Sequence, residues 1–188
     1  MAGIRLHQIA PPGTHAPAAG FEAPFEMLDA CHERVERMLG LLGKIRTHVR
    51  THGADAQARD AARDVMRYFD LAGPHHHEDE ERHVFPPLLA QRDPAVLAVV
   101  IRLRQDHREM ADLWAQVRAA LLALVEAGEG WPGFSAQDEQ RFDTYDALYR
   151  RHLIDENGVA YPAARTLIRG EALRAMSADM MARRGVAL

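Results

Sequence analysis

Six residues of this 188-residue chain stand out for their types and spacing: His32, His76, Glu80, His107, His152 and Glu156. Residues four apart on an α-helix share a face, so His76/Glu80 and His152/Glu156 each offer an imidazole nitrogen and a carboxylate oxygen to one point. His32 and His107 fall on apolar stripes of two other segments, where aliphatic residues are expected. A buried, unpaired carboxylate costs about several kcal/mol, and a buried imidazole has two nitrogens to satisfy. A metal resolves both problems: its charge stabilises the carboxylates and it accepts imidazole nitrogen. Four nitrogens with two carboxylates able to bridge suit two iron ions. The same donors would also take manganese or zinc, but structural zinc favours sulfur-rich sets, and the sole cysteine is Cys31.

The two pairs belong to an internal repeat. HHEDEERHVFP and HLIDENGVAYP each place a glutamate four residues, and a proline ten residues, after the ligand histidine, with Phe85 or Tyr161 just before Pro86 or Pro162. His32 precedes His76 by 44 residues and His107 precedes His152 by 45. Two helix pairs thus carry one ligand pattern, as a pseudo-twofold binuclear site requires. A ferritin-like arrangement fits less well, because Glu80-His83 has no second E-x-x-H facing it; the residue three before His152 is Tyr149.

Neighbouring residues have simpler readings. His75 and His77 flank His76; a shift of one position makes His77 the ligand, or His77 touches the metal as well. His83 lies one turn past Glu80, where the second repeat has Val159; it is a further nitrogen for the metal or a packed neighbour. His48 and His52 read as a solvated helix end. Cys31 points about 100° away from His32 on the helix and reads as a buried structural thiol. Glu78, Asp79 and Glu81 read as a solvated acidic face. Tyr149 either hydrogen-bonds a ligand or packs, and Met110 and Trp114 keep the site dry.

The elements that position these residues follow from turn signals. Helical segments are expected at about 23–51, 55–92, 94–127 and 136–167, with a short fifth at 171–183. Asp55 and Ser135 are N-caps, and Pro94 stands at the first position of its helix. Gly73-Pro74 should kink or break the second segment, and Pro162 should perturb the end of the fourth. Inward stripes run at steps of three and four, as in Leu28, His32, Val35, Leu39 and Leu42. No sustained alternating β-branched run occurs. The fold class is therefore all-α: an antiparallel up-down four-helix bundle over 21–170, with a flexible leader at 1–20 and a helical tail at 171–188.

The composition, 47% apolar and 27% charged with net charge −4, is that of a soluble globular domain. No basic block points to nucleic acid or an anionic membrane, and no run of about 18 apolar residues points to a membrane span. One cysteine and a leader without a secretory apolar core point to a cytoplasmic protein.

The ordered set of motifs resembles the hemerythrin-like, or HHE cation-binding, domain. The resemblance rests on the helical His32, the H-x-x-x-E of His76/Glu80 leading into Phe85-Pro86, Asp106-His107, and the H-x-x-x-E of His152/Glu156 leading into Tyr161-Pro162. It spans about 21–169. It implies a di-iron centre (Fe2+/Fe3+) bridged by Glu80, Glu156 and an oxo or hydroxo group. Family roles include binding or sensing O2 or nitric oxide, iron handling, and repair of iron–sulfur proteins. Two departures stand out. The fifth histidine of hemerythrin, from an H-x-x-x-H on the third helix, is missing, since Leu103 and Ala111 flank His107 at four residues. Asn157 replaces a residue that is often acidic. An O2-binding or sensing protein is the first expectation, with no catalytic residue assigned. A centre reacting with NO or peroxide or supplying iron for repair is the second, and a metal-stabilised module for an unidentified protein partner is the third.

Overall fold

A computed structural model describes residues 20–186; positions 1–19 of the expected leader lie outside the described residues. The chain forms α1 (Pro24–His52), α2 (Ala56–Asp79), α3 (Phe85–Ala90), α4 (Pro94–Val125), α5 (Ala136–Asp155), α6 (Tyr161–Leu167) and α7 (Glu171–Arg183). No strand occurs among the described residues. The caps are those the residue types suggest. The Asp55 carboxylate accepts from the Ala58 amide, Asp93 accepts from those of Ala95 and Val96, and Ser135 forms a reciprocal box with Asp138. Gly53 ends α1 at φ 70°, a conformation that costs a side-chain-free residue least.

α1 packs on α2 and α5, and α4 packs on the same two helices, closing a four-membered ring. This is the expected bundle. Two apolar clusters fill it. One gathers Leu39, Ile45, Phe69, Leu121 and Phe142; the other gathers Phe25, Leu28, Phe85, Leu88 and Leu103. Met176 and Met180 of α7 are fully buried in the second cluster, so the C-terminal helix caps that end of the bundle. Each such buried side chain contributes about 1.5–3 kcal/mol relative to exposure. Between the two clusters lies a polar layer, and it contains the six residues singled out above.

The chain departs from the expected course at two places. Gly73-Pro74 does not break α2, which runs through to Asp79. A proline inside a helix costs about 3 kcal/mol, but the buried Phe69, Gly73 and His76 hold the helix on both sides of it. The interruption comes later and occurs twice. Glu80–Val84 and Glu156–Ala160 are single π-helical turns, closed by the Phe85 amide on the Glu80 carbonyl and the Tyr161 amide on the Glu156 carbonyl. Pro86 and Pro162 follow directly and have no N–H with which to resume the tighter ladder. Each π turn therefore begins at one of the paired glutamates.

Candidate metal centre

Glu80 and Glu156 are wholly buried, and His32, His76, His107 and His152 are buried around them. Each carboxylate reaches in two directions. Glu80 places Oε1 3.5 Å from His76 Nε2 and Oε2 3.3 Å from His107 Nε2. Glu156 places Oε2 3.2 Å from His32 Nε2 and Oε1 2.9 Å from His152 Nε2. The donors thus sort into two groups, His32/His76 and His107/His152, each completed by both glutamates, with donor atoms in a group within 4.8 Å of one another.

Hydrogen bonding leaves this layer unsatisfied. Among the described residues both nitrogens of His76, Nε2 of His77, His107 and His152, Glu80 Oε2 and both Glu156 oxygens are buried without an aligned hydrogen bond, close as some of them stand to one another. An orphaned buried polar atom costs about 1–3 kcal/mol, so a concentration of them demands an explanation. All belong to groups that ligate metals, and all converge on one layer. The residues present fit two cations bridged by two carboxylates.

The far side of the imidazoles is oriented as a metal site needs. Asn157 Oδ1 lies 2.9 Å from His32 Nδ1, Glu81 Oε1 lies 3.3 Å from His107 Nδ1, and Asp106 Oδ2 lies 3.4 Å from His152 Nδ1. When Nδ1–H donates to these oxygens, the Nε2 lone pair turns inward. Asp106 is itself held by Arg151 at 2.5 Å. Replacing Asp106 with alanine is expected to weaken metal retention by the His107/His152 group about 10–100-fold. Competition with a chromophoric chelator measures this, and wild-type retention would show that Asp106 does not orient the ligand.

The neighbours divide clearly. His77 stacks on His107 at 4.0 Å between ring centroids and joins His107 and His152 as a third nitrogen donor. It stands on α2, so a fifth imidazole reaches the layer from that helix, while α4 has Leu103 and Ala111 at the positions four residues either side of His107. His83 turns the other way, and its Nε2 meets Asp179 of α7 at 2.8 Å. His48 bonds the N-cap Asp55 and stacks on His52. Cys31 is half-buried, and desolvation raises its thiol pKa. Tyr149 packs against Tyr145 and His77 and makes no hydrogen bond to either glutamate among the described residues.

The acidic run is not a solvated face throughout. Asp79 is fully buried and gripped by Arg183 at the end of α7 and by Arg184 just beyond it, and Glu81 faces His107. The reason is that α7 lies over this segment and supplies the cations.

Tyr161 is the functional residue the spacing argument passed over. Its hydroxyl donates to Glu80 Oε1 at 2.5 Å and lies 3.0 Å from His32 Nε2, with its ring stacked on the His32 ring. Its place before Pro162 in the repeat was the available signal. Phe85, its counterpart, stacks on His107 without a hydroxyl.

Burial and neighbouring charges set the proton balance. Burial and the surrounding imidazoles outweigh Glu80 and push His76 down to about 3. Burial also pulls on His152, but Glu156 and Asp106 prevail and raise it to about 10. His32 and His107 are likewise raised against burial by the glutamates. Burial disfavours the Glu156 carboxylate, yet His152 and His32 hold its pKa well below the usual range.

Comparison with known proteins agrees with this layer. The Hemerythrin HHE cation binding domain matches residues 23–180. An uncharacterized protein of Haemophilus influenzae is 26% identical over 168 residues, covering 89% of this chain and 94% of that protein.

Proposed function

Because this chain belongs to the hemerythrin HHE cation-binding family, we propose that it holds two iron ions and uses them to bind or sense O2 or a related small oxidant. The observation that carries this reading is the pair of glutamates, each with one oxygen in each of two donor groups. Mixed imidazole and carboxylate donors suit iron in both common oxidation states. Iron so bound supplies reversible electron transfer to a small guest. The chain's own part is to hold the ions close, fix the imidazole tautomers and keep bulk water away.

A route for a small apolar guest adjoins the second donor group. A cavity of about 180 Å³ between α2, α4 and α5 is lined by His77, Met110, Trp114 and Tyr149. Its walls are mostly apolar or aromatic, which suits a diatomic molecule better than a charged metabolite. Among the described residues no helix is long and apolar enough to cross a membrane.

The optical spectrum of the iron-loaded protein, with iron counted per chain, tests the proposal. Under anaerobic reduction followed by O2, about two irons per chain and a spectral change that reverses on O2 removal are expected. Irreversible oxidation would instead favour reaction with NO or peroxide, or iron supply for repair. A chain that takes up no iron would leave the metal-stabilised module with some other ion.

The proton balance gives a second expectation. In the metal-free chain His152 carries a proton at neutral pH, since its pKa stands at about 10. A cation must displace that proton, so affinity rises with pH up to that value and falls on acidification. Proton release into a weakly buffered solution during loading measures it; loading at pH 7 without release would contradict the assignment of His152.

A further inference from the structure

We propose that the phenol oxygen of Tyr161 is itself a ligand, bound to the ion shared by His32 and His76. The inference rests on the binuclear reading above. Donors about 2.1 Å from one ion stand about 3 Å apart when they occupy adjacent positions around it. The Tyr161 oxygen has that relation to His32 Nε2, at 3.0 Å, and its hydrogen bond to Glu80 Oε1 at 2.5 Å holds it against a second member of the group.

The contact with His32 has a further consequence. Nδ1 of His32 is engaged by Asn157, so Nε2 is the nitrogen left for an ion. The phenol's one proton is given to Glu80 Oε1, so its oxygen turns lone pairs toward His32 Nε2 and stands at the edge of any ion that Nε2 binds. Coordination then exchanges the O–H bond for an O–metal bond and returns one proton to solvent. The ring cannot readily swing away: it stacks on His32 at 4.9 Å and 19°, meets Phe25 edge-on at 6.2 Å, and is only 2% exposed.

The pseudo-twofold repeat makes the two ions unequal. Phe85, in the matching place beside His107, brings no oxygen, whereas His77 brings a nitrogen to that side. The His32/His76 ion therefore has two nitrogens and three oxygens from the chain, and its neighbour three nitrogens and two oxygens. Oxygen-rich surroundings with a phenolate favour the ferric state of the first ion.

The test uses the full chain loaded with ferrous iron and oxidised with ferricyanide. A phenolate-to-ferric absorption band in the visible is expected, with tyrosine ring modes enhanced in resonance Raman spectra excited in that band. Tyr161→Phe should lose the band and the modes, and Tyr149→Phe should keep both. The wild-type Raman spectrum decides the matter even if Tyr161→Phe fails to fold. Two irons per chain with no phenolate modes would overturn this inference alone and leave Tyr161 as a hydrogen-bond donor to Glu80. A chain without iron would overturn the binuclear reading and this one together, and the iron count separates the two failures.

Discussion

Replacing Glu156 with alanine is expected to empty both metal positions, not one. The carboxylate spans the layer, with Oε2 beside His32 and Oε1 beside His152, so the substitution removes a donor from each group at once. It also leaves those imidazoles facing a cavity where a charge stood. Loss of a direct ligand should exceed the roughly 10–100-fold cost of removing an orienting partner, and here it acts on two ions. Iron per chain should fall from about two to well below one. His32→Ala makes the contrast, since His32 belongs to one group, and it should spare the ion beside His107 and His152 more than its neighbour. Equal iron content in Glu156→Ala and wild type would sink the bridging assignment, and an integer loss of one ion would show that Glu156 serves a single position.

Removing the metal is expected to lower the melting temperature by about 15–30 °C. An ion at 1,000 times its dissociation constant stabilises the folded state by about 4 kcal/mol. Two such sites give about 8 kcal/mol, and a domain of this size shifts by about 2–4 °C per kcal/mol. The physical source is the unsatisfied layer: with no ion present, His76, His77, Glu80, His107, His152 and Glu156 retain buried atoms without partners. Circular dichroism melts with and without a strong chelator measure the shift, alongside metal analysis. Glu156→Ala should melt at the same temperature in both conditions. A wild-type melting point unmoved by verified metal loss would mean that the layer is satisfied by its own protons and needs no ion.

Much of this was legible in the amino-acid sequence, and the part that was not has one main cause. Helix positions followed from caps such as Asp55 and Ser135 and from stripes in α1 and α4, where steps of three and four residues hold throughout. The six central residues lie upstream of any irregularity or at its first residue, so their faces came out as expected. Beyond Glu80 and Glu156 the pattern slips by one. The stripe would bury His83 and Val159, yet Val84 and Ala160 are the fully buried residues, while His83 reaches Asp179 of α7. A π turn inserts one residue without changing composition, so hydrophobic periodicity does not register it. The place of His77 stayed open, and Asp79 came out buried instead of solvated, for a different reason. Their surroundings come from distant segments, α4 and α7, and no local pattern reports which helix will lie across them.

The π turns also explain how one helix serves two purposes. An ideal α-helix advances about 100° per residue, so residues nine apart, such as His76 and Phe85 or His152 and Tyr161, would point in nearly opposite directions. One inserted residue takes back about 100° of that rotation, leaving ligand and aromatic within about a quarter-turn of each other. Both then face the interior: His76 and Phe85 are buried, as are His152 and Tyr161. Each turn therefore works as a phase adjuster between a metal-facing stretch and a sealing stretch of the same rod. The angular offset, and not the proline alone, is what brings the Tyr161 hydroxyl round to Glu80 on the opposite repeat.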